Sequence, residues 1–73
     1  MKKEQELELT AKAFALKLKA YDRDSQWEYT FQAKSKLEIM ERSLTRLYEA
    51  GCLSLKDFKR FDQMIFDRMI KIV

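Results

Sequence analysis

Seventy-three residues allow one small domain, and at this length a hydrophobic core is marginal without disulfides, a metal or self-association. A single cysteine, Cys52, and no histidine exclude an intrachain disulfide and leave no donor set for a structural zinc, so a homodimer is the expected remedy. Apolar residues make up 47% and charged residues 37%, with 15 basic against 12 acidic side chains for a net +3; this is too hydrophobic for a disordered tail and too evenly mixed for a strong nucleic-acid footprint.

Proline is absent and Gly51 is the only glycine, so turn chemistry is nearly missing and the expected fold class is all-α. The reading is one helical domain over residues 1–73. Its helices span about 4–22, 26–50 and 55–72, completed by dimerisation.

The chain starts MKKEQELEL, where acidic residues interrupt what would be a leader's apolar stretch. No run approaches the roughly eighteen apolar residues of a membrane span. With one lone thiol, the expected location is a reducing cytoplasm, away from membranes. The segment ELELTAKA alternates with the strand period, but Leu, Ala, Lys and Glu are helix formers and favour a helix.

That first helix carries Leu7, Ala11, Phe14, Leu18 and Tyr21 on one side and Leu9, Ala13, Leu16 and Ala20 nearly opposite. A helix apolar on both sides needs cover on both. In a three-helix monomer one stripe would face water, whereas a second copy would cover it.

The next boundary is expected at DRDSQWE. Ser25 and Glu28 form an S-x-x-E capping box behind two aspartates, with a kinked continuous helix as the alternative, since no glycine or proline intervenes. The aromatics that follow alternate as a strand would. Placed on a helix they divide. Tyr29 borders a seam of Thr30, Ala33, Leu37, Met40, Leu44, Leu47 and Tyr48, while Trp27 and Phe31 fall roughly 110° to 150° from its centre. Those two rings share their face with Lys34, Glu38 and Arg42. Either the first helix or a second copy covers them, or Trp27, Phe31, Lys34 and Arg42 form a docking site for a protein partner, since aromatic and Arg anchors dominate such sites. No basic groove accompanies them, so base stacking is the weaker reading.

At AGCLSLKDF three signals agree. Gly51 sits where a left-handed residue would end the second helix, Ser54 begins an S-x-x-D cap with Asp57, and Leu53 with Phe58 has the spacing of a hydrophobic staple. The third helix presents Phe58, Phe61, Ile65, Met69 and Ile72 as its main stripe. Leu55, Phe66 and Val73 extend it, with Met64 and Ile70 at the margins. Leu7, Phe14, Leu18, Tyr21, Phe58, Phe61, Ile65 and Met69 are the residues expected to form the oligomer seam. Asp62 lies inside the apolar arc and is expected to reach solvent at a rim or to pair with Arg or Lys.

Catalytic chemistry finds little support: no histidine, no second cysteine, no phosphate-loop or nucleophile-elbow pattern. Glu38 and Glu41 are read as a solvated face, and Cys52 as a small buried residue at the turn. No enzyme, cofactor or metal is expected. LTRLYEAGCLSLKDFKRFDQM has the order of a helix-turn-helix. The positions about six and nine after its glycine, Asp57 and Arg60, are charged where such a motif needs packing. A basic outer face of Lys56, Lys59, Arg60 and Lys71, interrupted by Asp67, reads first as solubilising. The two opposed stripes of the first helix do not suit a membrane interface.

From Leu37 to Ile65, LEIMERSLTRLYEAGCLSLKDFKRFDQMI resembles the SHOCT-like short C-terminal helical hairpin of bacterial proteins. The shared features are a Leu-repeating helix, L-Y-E-A-G, a cap serine, an acidic residue and a phenylalanine. Arg60, Asp62 and the Met, Ile and Phe content after Phe61 depart from that pattern. The resemblance implies an interaction or oligomerisation hairpin with no enzymatic residues to transfer. The expected function is therefore a non-enzymatic protein-interaction protein, a regulator or inhibitor acting by steric binding or scaffolding as a homodimer. Phage and plasmid products of this size often act so. A nucleic-acid-binding transcriptional or copy-number regulator and a structural subunit of a larger assembly are the alternatives.

Overall fold

A computed structural model of the chain describes residues 2–25 and 30–72, with Thr30 described in its backbone alone. It is an all-α arrangement of three helices: α1 (Lys2–Ser25), α2 (Thr30–Glu49) and α3 (Leu55–Met69). Among the described residues no strand forms, so the alternation in ELELTAKA yields to helix propensity.

The helices run up, down and up. The start of α1 lies by the α2–α3 turn, where Glu4, Leu7 and Glu8 share a groove with Ser54, Asp57 and Arg60. Its end lies by the start of α2 and the end of α3, where Tyr21 and Asp22 share another with Ala33 and Arg68. Because α1 and α2 are antiparallel, a kinked continuous helix is ruled out. Ser25 is the last residue of α1 rather than the cap of α2. Its expected partner Glu28 lies outside the described residues, as do Trp27 and Tyr29.

The first helix runs three residues past the expected end at 22. Asp22 on α1 accepts two hydrogen bonds from Arg68 on α3, from Nε at 2.7 Å and from Nη2 at 2.6 Å. The same guanidinium donates through Nη1 to the Met64 carbonyl at 2.8 Å. This fork draws the ends of α1 and α3 together.

The α2–α3 turn is built as its sequence implies. Gly51 has φ +78°. The Cys52 N–H donates to the Leu47 carbonyl at 2.8 Å and the Gly51 N–H to the Tyr48 carbonyl at 3.0 Å, the paired bonds of a Schellman ending. Ser54 caps α3, its Oγ accepting from the Asp57 N–H at 3.1 Å. Leu53 is buried and Phe58 packs against the same core, while the Tyr48 ring stacks on Phe58 at 4.6 Å. Cys52 is half-buried at the turn rather than fully enclosed.

One cluster of side chains forms the core. Phe14 and Leu18 come from α1, Leu37 and Leu44 from α2, Leu53 from the turn, Phe61 and Ile65 from α3. Each fully buried side chain contributes about 1.5–3 kcal/mol. The Phe14 and Phe61 rings meet at 4.9 Å with a 51° tilt, a geometry that satisfies both quadrupoles. Most of the second-helix seam is as expected, with Ala33, Leu37 and Leu44 buried and Met40 and Leu47 half-buried, but Tyr48 at its end is exposed, and the side chains of Tyr29 and Thr30 lie outside the described residues.

Candidate interaction surfaces

The residues read as an oligomer seam lie within one chain. Phe14, Leu18, Phe61 and Ile65 are buried in its core, and Tyr21, Phe58 and Met69 pack against that core, with Leu7 half-buried. Any second copy must therefore meet other side chains. Several large ones remain outside: Leu9 and Leu16 on α1, Phe31 and Ile39 on α2, and Leu55, Phe66 and Ile70 around α3.

On α1 the stripe opposite the core is the open one. Leu9 is 66% exposed and Leu16 65% exposed, with Ala13 exposed between them. A shallow groove of about 340 Å³ follows this face, lined by Leu9, Thr10, Ala13, Phe14, Lys17 and, across from them on α2, Leu47. Glu8 and Lys12 pair along the helix at 3.4 Å, both well exposed.

On α2, Phe31 is 79% exposed, so α1 does not cover it. It borders a groove of about 360 Å³ with Gln32, Ser35 and Lys36. Lys34 and Arg42 are exposed on the side of α2 that Phe31 occupies. Trp27, the fourth member of the expected docking set, lies outside the described residues.

Between α2 and α3, Asp62 is half-buried and reaches solvent at the rim of a groove, the first of its two expected environments. Among the described residues no Arg or Lys pairs with it; it meets Glu41, and both line this open groove of about 420 Å³ with Gln63, Ile65, Phe66 and Met69. Burial first, then the hydrogen bond to Asp62 and its negative charge, push the Glu41 carboxyl up to about 7. Glu41 is half-buried against α3 rather than part of a solvated face. Two carboxyl groups on facing helices are tolerated because one keeps its proton and donates it. Asp62 stood out in the sequence. Glu41 would have been found by noting that it borders the Leu37–Leu44 stripe on the side that turns toward α3.

The expected basic face is exposed at Lys56, Lys59, Arg60 and Lys71, but Arg60 is engaged. Its Nη2 lies 3.2 Å from Asp57 Oδ1, and its guanidinium sits 4.5 Å over the Phe61 ring. Gln63 donates to Asp67 at 2.9 Å beside it. Among the described residues no helix is long and apolar enough to cross a membrane, and no group of three or more metal-ligating side chains forms. Comparison with protein-family models, with curated proteins and with solved structures gave no match.

Proposed function

We propose that the chain is a non-enzymatic protein-interaction module that acts as a regulator or inhibitor by steric binding or scaffolding, as a homodimer. The observation that carries this reading is Phe31: 79% exposed in a chain that buries Phe14 and Phe61 almost completely. An aromatic ring held on a rigid helix, with Lys34 one turn away and Arg42 about three turns along the same face, loses little entropy on binding and offers both apolar area and charge to a protein surface. Trp27 belongs to the same proposed site by sequence, lying four residues before Phe31.

The test is capture on the immobilised chain, compared with a Trp27→Ala, Phe31→Ala variant, followed by titration of the purified partner. A protein retained by the native chain and lost with the variant, at unchanged helicity by circular dichroism, supports the site. Identical retention by both overturns it. Retention of nucleic acid that weakens steeply with salt would turn the reading toward a nucleic-acid regulator.

A further inference from the structure

We infer that the outward stripe of α1 is the seam of an antiparallel homodimer, in which Leu9 of each copy packs against Leu16 of the other. This rests on the homodimeric reading above and goes beyond it by assigning the surface, the direction and the register.

Leu9, Ala13 and Leu16 fall within about 60° of one another around α1, on the face turned away from Phe14 and Leu18. Ala13 sits between the two leucines, and its small side chain lets a second helix axis come close. The groove between α1 and Leu47 offers an incoming leucine a partly formed seat.

Charge decides the direction. On this outward side the first third of α1 carries Glu6 and Glu8 against Lys2, a net negative charge, and the later part carries Lys17, Lys19 and Arg23 against Asp24, a net positive one. By the same rotation Glu6 and Lys17 lie on one flank of the stripe, and Glu8 and Lys19 on the other. In an antiparallel pair like flanks meet, so Glu6 faces Lys17 of the second copy and Glu8 faces Lys19, each twice by the two-fold symmetry. A parallel pair would set the acidic segment against the acidic one and the basic against the basic. Exposed ion pairs add little affinity, but repulsion in the wrong arrangement selects the right one. The two copies of Lys12 approach at the symmetry axis, where each already has its own Glu8 at 3.4 Å.

The experiment uses Leu9→Cys and Leu16→Cys variants in a Cys52→Ser background, mixed and equilibrated in a glutathione redox buffer, alongside sedimentation equilibrium of the native chain. Both positions are exposed, so the core of each chain is untouched. The expected result is a native dimer, with the disulfide between residues 9 and 16 as the dominant cross-link. Links of 9 to 9 and 16 to 16 would mean a parallel seam and overturn the inference. A charge pair gives a second measurement: Glu6→Lys weakens the dimer about tenfold or more, and adding Lys17→Glu restores it. A native dimer with neither cross-link nor charge rescue would overturn this seam while leaving the homodimer standing. A monomer at every concentration would remove both.

Discussion

Replacing Glu41 with glutamine should make the chain less sensitive to pH and more stable in neutral solution. The folded protein holds the Glu41 proton to about pH 7, whereas the ordinary glutamate value is 4.5. Between these values the folded state binds more protons than the unfolded chain, so stability falls as pH rises through 4.5 to 7 and levels off above. At full weight that displacement corresponds to about 3 kcal/mol. Glu41 still touches solvent, and screening reduces the figure to about 1–1.5 kcal/mol. For a domain this small, that is a fall in Tm of about 5–10 °C. Glutamine keeps a donor for the Asp62 carboxylate and has no proton to lose. Thermal unfolding followed at 222 nm, in steps from pH 4.5 to 8.5, should show the native Tm declining and the Glu41→Gln Tm nearly level across this window. The two should be close at the acidic end and well separated at the alkaline end. A native Tm that stays constant over the window, or a decline that survives in Glu41→Gln, would refute the reasoning.

Three further substitutions test other parts of the structure. Phe61→Ala removes a fully buried ring that packs on Phe14 at 4.9 Å. It should cost about 3–5 kcal/mol, enough to abolish a cooperative thermal transition. Gly51→Ala should cost about 1–2 kcal/mol by denaturant titration. Space is not the obstacle, since the nearest atom to an added Cβ is the end of Lys3 at 3.4 Å; the cost comes from holding alanine at φ +78°. Asp22→Asn removes an acceptor that hydrogen bonds to Arg68 hold below the usual carboxylate range. The pair's contribution is present above about pH 3.8 and lost as pH falls below it. Asp22 is half-exposed, so the loss at neutral pH should stay under about 1 kcal/mol, with a shallower decline on acidification.

The features readable in advance were those encoded over a few neighbouring residues or by a sustained period. Gly51, Leu53 and Ser54 specify the α2–α3 turn almost alone, because cap and Schellman bonds join residues close in sequence. The Leu37–Leu44 seam and the Phe61–Ile65 stripe followed from helical spacing, and so did the two opposed faces of α1. Ser25 misled because its S-x-x-E pattern is a sound local start signal. Nothing in the neighbouring residues shows that α1 itself continues through Ser25. Glu41 was missed for a related reason. Its partner Asp62 is far off in sequence, and only the relative rotation of α2 and α3 brings the two carboxyls together. The expected oligomer seam failed to separate two demands on the same residues: Phe14, Leu18, Phe61 and Ile65 are apolar at regular spacing because one chain consumes them itself.

The α2–α3 turn also bears on how the chain reaches its structure. Its hydrogen bonds and the Tyr48–Phe58 stack join residues at most ten apart, so forming it costs little loop-closure entropy. The hairpin can therefore assemble as an early, local unit, with α1 docking afterwards through Phe14, Leu18 and the Asp22–Arg68 fork. Without proline in the sequence, no prolyl isomerisation delays either step, and refolding should lack the phase of tens of seconds that this reaction imposes elsewhere. Amide exchange would then divide the molecule in the same order, with α1 opening first and the turn-linked pair holding longest.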